Sequence, residues 1–218
     1  MMRGIRLKVT VRQEQPEDFD RVETICREAF WNLYIPGAEE HAVVHKLHHH
    51  KDTIHDLTAV VEVDGEIEGA IFYTPSQIIT PDNHEVETIS FGPVFISPAY
   101  QRQWLGKGLI TTTIKWAQDL GYRAIITLGY PYHYEPYGFK GGKHYRLSMP
   151  DGLYYQGLLV LPLYEDALSG VEGYVVFSDA LEVTPEEVDQ FDQRFPQKEK
   201  RHQPSQDDYR KAIMLLDE

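Results

Sequence analysis

Phe91–Phe139 reads FGPVFISPAYQRQWLGKGLITTTIKWAQDLGYRAIITLGYPYHYEPYGF. A β-branched and aromatic run opens it, and Pro98 closes that run. The loop Gln101–Gly106 then leads into a helix predicted over Leu105–Leu120. Its inward face carries Leu105, Leu109, Thr112, Trp116 and Leu120, and Gly121 is its stop. Ala124–Leu128 is a short buried strand, and a tyrosine-rich turn ends at Gly138-Phe139. A helix start offers unpaired backbone N–H groups and the positive end of the helix dipole, which suits a phosphate. A tyrosine beyond the next strand is placed to hand over a proton. Together these features suggest transfer of a group carried on a phosphorylated cofactor.

On the N-terminal side, Ile5–Val11 alternates as a strand. Phe19, Val22, Cys26, Ala29 and Leu33 then recur at helical spacing over Pro16–Leu33. Pro36-Gly37 breaks that helix, and a second one is expected over Glu39–His48. Leu57–Val63 and Glu66–Tyr73 flank Asp64-Gly65, a strong hairpin signal, and Glu85–Ile96 is a long strand. Strand, two helices, three strands, helix and strand make a mixed sheet with helices on both faces, of α/β or α+β type. Beyond Gly138, strands are expected over Lys143–Leu147, Gly157–Leu163 and Gly173–Phe177. Thr184-Pro185-Glu186-Glu187 reads as a capping box. Pro196–Asp208 is polar and is expected to be mobile, with Tyr209–Leu216 a docked helix.

The chain has 218 residues, 42% of them hydrophobic and 25% charged, enough for one substantial core. No apolar run approaches a membrane span and no targeting segment is recognisable. Cys26 is the single cysteine, so no internal disulfide forms, in keeping with a cytoplasmic location. The net charge of −13 argues against a nucleic-acid partner. Gln101–Arg123 runs against that trend, with Arg102, Lys107, Lys115 and Arg123 against Asp119 alone.

The same stretch resembles the GNAT N-acetyltransferases. Their signature is Gln/Arg-x-x-Gly-x-Gly/Ala after the fourth strand. A bacterial branch of the family adds a Gly-Pro in that strand, Leu-Gly-x-Pro after the fifth strand, and a Gly-Phe ending. Gly92-Pro93, Leu128-Gly129-Tyr130-Pro131 and Tyr134-Glu135-Pro136-Tyr137-Gly138-Phe139 match in order. The resemblance covers about Ile5–Leu163. It implies an acyl-CoA N-acyltransferase fold, with a mostly antiparallel sheet splayed between strands four and five. It also implies acetyl-CoA as cosubstrate and no metal. Residues 1–165 would form the acetyltransferase-like domain, and 166–218 an extension packed on or near it.

By the same resemblance, the backbone of Val94, Phe95 and Ile96 holds the pantetheine arm. Gln101, Arg102, Gln103, Trp104, Leu105, Gly106 and Lys107 hold the diphosphate. Tyr134 protonates the departing thiolate; a packing tyrosine is the bland alternative. Aligned from Pro98, the signature puts Trp104 where the family has its first glycine. A register two residues later, Gln103-x-x-Gly106-x-Gly108, matches letter for letter, but it misplaces Pro98-x-Tyr100-Gln101 and Leu109-Ile110. A left-handed backbone at Trp104 would be strained.

The amine needs a base; Glu85, Glu87 and His84 are candidates, and none is preferred. The acceptor is a small-molecule or peptide amine, and a homodimer is open. Two rival readings remain. One is a GNAT-fold binding module that has lost turnover through Trp104. The other is a metal protein built on the histidines at 41, 45, 48, 49, 50 and 55, where His41/His45 and His45/His49 are i,i+4 pairs that lack an evident third ligand; a solvated histidine run is the plainer explanation. Trp31 and Tyr34 lie in the loop where such enzymes shape their acceptor pocket.

Overall fold

The computed structural model describes residues 7–218, so Ile5 and Arg6 of the expected first strand lie outside the described residues. The elements in chain order are β1 (Val9–Gln13), α1 (Phe19–Phe30), α2 (Glu40–His49), β2 (Ala59–Val63), β3 (Glu66–Ile79), β4 (Glu85–Ile96) and α3 (Leu105–Asp119). Then follow β5 (Ala124–Leu128), α4 (Pro131–Tyr134), β6 (Lys140–Gly141), β7 (Leu147–Ser148), β8 (Leu158–Pro162), β9 (Gly173–Phe177), α5 (Pro185–Asp192) and α6 (Pro204–Ala212). The nine strands form one sheet in the order β1-β2-β3-β4-β5-β8-β6, with β9 and β7 alongside the far half of β3. All pairings are antiparallel except β4 with β5 and β7 with β9.

The sheet is buried on both faces because its strands carry apolar residues at successive positions. Val61, Ile71 and Tyr73 face α3, which contributes Leu105, Leu109, Ile110 and Ala117. Val60, Ala70 and Phe72 face α1 and α2, which contribute Val22, Ile25, Cys26, Val43, Val44 and Leu47. The inward stripe of α3 is rotated from the one expected. Thr113 is fully buried and bonds the Tyr73 hydroxyl at 3.0 Å, whereas Leu120 is exposed.

β3 runs six residues past its expected end, through Pro75. On one edge it pairs with β2 up to Ile71 and with β9 from Ser76, so Pro75 falls in the interval between those ladders. A proline in a sheet interior is tolerated where no ladder bond is lost. The strand expected over Lys143–Leu147 is instead a 3-10 turn, Gly142–Tyr145, with Arg146 left-handed at φ 56°.

The C-terminal region is built into this body. β9 joins the main sheet, and the buried Phe191 of α5 stacks on His45 of α2 at 4.2 Å. The polar stretch after α5 is anchored, contrary to the mobility expected of it. Asn32 donates to the Glu199 carbonyl and accepts from the Arg201 and Gly37 amides. Gln206 of α6 donates to the Asn32 carbonyl at 3.0 Å. The helix expected over Tyr209–Leu216 therefore starts earlier, at Pro204, directly after this anchor. Among the described residues, no helix is long and apolar enough to cross a membrane.

Candidate functional site

The site begins where the sheet splits. β4 and β5 share one paired position, Ile89 with Ile125, and part beyond it. At that point Gly92 and Pro93 are joined by a cis peptide, and the β3–β4 register slips between Ile71 and Tyr73. The Thr127 hydroxyl donates to the Phe91 carbonyl at 3.0 Å, a side-chain bond just beyond the last ladder pair. Val94, Phe95 and Ile96 pair with Ile71, Ala70 and Gly69 of β3. Their opposite edge faces the gap and has no strand against it. Phe95 turns into the α1–α2 layer, and Val94 and Ile96 turn towards α3.

The loop after β4 feeds α3. Arg102 (φ 62°) and Trp104 (φ 69°) are both left-handed, and Trp104 is the residue immediately before the helix. Gly106 and Gly108 lie inside the helix, so the left-handed position expected of a signature glycine belongs to Trp104. The indole is 78% exposed, and the Lys107 ammonium stands 5.5 Å from its ring. The Gly108 amide closes the first turn on the Trp104 carbonyl at 3.1 Å. Among the described residues, the backbone N–H groups of Gln103 to Lys107 have no acceptor within the protein. The side-chain amides of Gln101 and Gln103 donate back to the carbonyls of Ile96 and Ala99 and steady the loop. Leu105 is buried, and a side chain at Gly106 would meet little more than Ile96. Of the basic residues in this region, Lys115 pairs with Asp119 and Arg123 donates to the Ala167 carbonyl. Arg102 and Lys107 are exposed near the free amides. The loop thus presents donors and positive charge, the chemistry an anionic phosphate requires.

A cleft of about 1,020 Å³ opens at the split. Phe91 to Val94 of β4, Thr127 and Leu128 of β5, and Gly129 just after it form its floor. Tyr134 of α4 reaches into it, only 9% exposed, with its ring packed on Phe91 and Phe139 at 5.3 and 5.8 Å. Gly129 makes room for that ring, because a Cβ there would lie 2.5 Å from Tyr134 Cε2. The Tyr134 hydroxyl has no hydrogen-bond partner among the described residues. Burial, with Tyr137 and Tyr73 nearby, raises its pKa, so the phenol carries its proton at neutral pH.

None of the three candidate bases, Glu85, Glu87 and His84, lines the cleft. Glu85 and Glu87 are exposed opposite Ile79 and Gln77, and His84 lies in the adjoining exposed turn. The cleft instead holds Glu40, at the start of α2, whose carboxyl burial pushes up to about 7. Little in the chain marks it, since it reads as one of two glutamates starting a helix. Tyr34 does line the cleft, as its loop suggested, and stacks on Tyr209 of α6 at 4.4 Å. Trp31 does not line it; its indole donates to the Glu199 carbonyl under the Arg27 guanidinium. Residues of α6 and the following turn, from Tyr209 to Leu215, complete the wall.

The histidine run is not a solvated face. His41 and His48 are buried, on the side of the sheet that packs α1 and α2. His48 has a carboxylate at each ring nitrogen, Glu23 at 3.2 Å and Glu14 at 3.1 Å, and Phe19 stacks on it at 3.8 Å. His45 joins Glu23 at 2.7 Å. Ligand atoms of Glu23, His45 and His48 come within 4.8 Å of one another, a grouping different from the His41/His45 and His45/His49 pairs that the spacing offered. Burial opposes charge on His48, yet its bonds to Glu14 and Glu23 hold its pKa above the ordinary value. The arrangement is that of a buried ion-pair network.

Residues 22–133 match the Acetyltransferase (GNAT) family. The chain is 25% identical over 170 residues to an uncharacterized N-acetyltransferase, YhbS, of Escherichia coli K12, covering 78% of this chain and 96% of the relative. Among solved structures it is similar to E. coli YhbS in complex with CoA, with a TM-score of 0.71 and 23% identity over 83% of this chain and 95% of that one. It is also similar to a GNAT acetyltransferase from Brucella melitensis in complex with acetyl-CoA, with a TM-score of 0.65, 23% identity, and coverage of 80% and 99%. These two structures share the fold described above, including a mixed, mostly antiparallel sheet.

Proposed function

The chain belongs to the GNAT acetyltransferase family, and from that premise we propose that it transfers an acetyl group from acetyl-CoA to a primary amine, with Tyr134 as the general acid. When bound, acetyl-CoA supplies the acyl thioester. The free amides of Gln103 to Lys107, with Arg102 and Lys107 beside them, would take its diphosphate. The unpaired edge of Val94, Phe95 and Ile96 would take the amide-bearing arm, much as a sheet edge takes a strand. CoA and acetyl-CoA in the two similar structures support this assignment.

The observation that carries the reading is the Tyr134 hydroxyl. It is unpaired and protonated, and it sits in a cleft floored by both halves of the split sheet. A phenol there can give its proton to sulfur as the carbon–sulfur bond breaks. The cleft also aligns the amine with the acyl carbon and excludes water. A module without turnover was suggested by Trp104, but its indole stands out in solvent and leaves the amides open.

The test combines calorimetric titration of acetyl-CoA with a thiol-release assay on wild type and Tyr134→Phe. Micromolar binding and a kcat reduced about 100-fold or more in the variant, with acetyl-CoA affinity kept, are expected. An unchanged kcat would remove Tyr134 from the chemistry, and no binding at millimolar acetyl-CoA would sink the transfer reading.

A further inference from the structure

The cleft carries a charge pattern that acetyl transfer alone does not explain. Glu40 sits partly buried in its wall, and its one hydrogen bond is from the Glu39 amide at 3.2 Å. Among the described residues no Lys, Arg or His pairs with it. An ionised carboxylate in an apolar setting is costly unless a cation meets it. The surroundings are aromatic: the stacked pair Tyr34 and Tyr209, then Phe30, Tyr130 and Tyr155. Aromatic faces attract ammonium groups and pack apolar bodies.

The lining has no complementary feature for an anion. Among the described residues, no Lys or Arg lines the cleft. His133 does, but burial lowers its pKa, which keeps it neutral at pH 7. A free amino acid would bring its carboxylate into a cleft that holds Glu40, Glu135 and Asp151 and, among the described residues, no Lys or Arg to pair it.

We infer that the acceptor is a primary amine on an aromatic or apolar body with no carboxylate beside the amine, and that Glu40 receives its ammonium group. This rests on the acetyl-transfer reading and names the substrate class of the same site. Glu40 takes one proton from the ammonium, and the freed lone pair forms the carbon–nitrogen bond. The carbon–sulfur bond breaks, and its electron pair leaves on sulfur, which takes the Tyr134 proton. The second proton from nitrogen restores the phenol. The Glu40 proton passes to solvent, so one proton is released per amide formed.

The test uses 2-phenylethylamine and L-phenylalanine, which share ring and amine and differ by the carboxylate. With saturating acetyl-CoA, kcat/KM is expected to be at least tenfold higher for 2-phenylethylamine. Glu40→Gln should lower that value tenfold or more while acetyl-CoA affinity stays within twofold. Calorimetry of 2-phenylethylamine with CoA present gives a readout independent of turnover, and the variant should bind the amine at least fivefold more weakly. Equal or better turnover of L-phenylalanine, or a Glu40→Gln variant with unchanged amine binding and kcat/KM, would overturn the inference. So would acetyl-CoA binding with turnover of neither amine, which would leave the transfer reading standing. Failure to bind acetyl-CoA would sink that reading and this one with it.

Discussion

Trp104 shows how one residue records a compromise. A left-handed backbone costs a bulky residue roughly 1–2 kcal/mol, because its Cβ crowds the chain. Here φ is 69°, and the loop keeps that conformation because the flanking glutamine amides and the buried Leu105 hold it. Glycine relieves the strain but returns part of the gain as unfolded-chain entropy. Trp104→Gly is therefore expected to stabilise the protein by about 0.5–1 kcal/mol, read as a higher urea midpoint at unchanged slope. Its acetyl-CoA affinity should rise or hold, since the amides stay in place. A destabilised variant would mean that the indole and Lys107 contribute more than the backbone strain costs.

At the scale of elements, two arrangements support the site. The first is the anchor that places α6 against the cleft. Asn32 holds three backbone groups through its side chain and a fourth residue, Gln206, through its carbonyl. Asn32→Ala strips that side chain from a buried left-handed position, at about 1–3 kcal/mol for the partners left unpaired. Proteolysis should then cut the 196–204 stretch faster, and amine KM should rise more than acetyl-CoA KM falls or rises. Equal cutting of both proteins would show that α6 is held by its ring contacts instead.

The second arrangement is the pair of glutamates around His48 that joins α2 to α1. The signs of its pH dependence follow from the two shifts. The His48 pKa is raised, so its contribution is full below the ordinary 6.5 and is lost as pH rises through the folded value. Burial opposes charge on Glu23, but His48 and His45 lower its pKa, so its contribution is full above 4.5 and is lost as pH falls through the folded value. The network thus contributes most between about pH 4.5 and 6.5. His48→Gln should cost about 3–5 kcal/mol near pH 5.5, because it leaves the buried Glu14 carboxylate without its cationic partner and Glu23 with His45. The penalty should shrink by pH 9, and thermal melts at both values measure it. A penalty equal at both would mean that packing against Phe19 dominates.

For the whole molecule, the split between β4 and β5 is a place where the sheet is left unfinished. Acetyl-CoA bound there would supply partners to the edge of β4 and to the start of α3 together. At a hundredfold excess over its Kd, such a ligand adds about 2.7 kcal/mol to stability. For a chain of this size that is about 5–10 °C in Tm. Backbone amides of residues 94–96 and 103–107 should exchange more slowly with ligand present, and those of the β1–β2 hairpin should not change. A rise in Tm without that localised protection would place the ligand elsewhere.

Much of this was legible in the chain itself. Periodicity located every major strand and helix from β2 to β5, because apolar spacing reflects burial directly. Gly92-Pro93 marked the irregular point of β4, and the order of motifs through Phe139 identified the family. Local chemistry also marked the helix start that frees its amides. The sequence could not show which distant segments meet. Glu40 is an ordinary helix-start glutamate until folding brings Tyr209 from α6 and Tyr134 from α4 into the same cleft. The histidines look solvated until Glu14 and Glu23 arrive from other segments. The polar run after α5 looks mobile until Asn32, far away in sequence, takes its carbonyl and amide. Spacing along a chain encodes which face a residue presents, so the sequence determined the elements and the family. Contacts between distant segments depend on how those faces pack, so only the tertiary structure decided the composition of the cleft and its charge.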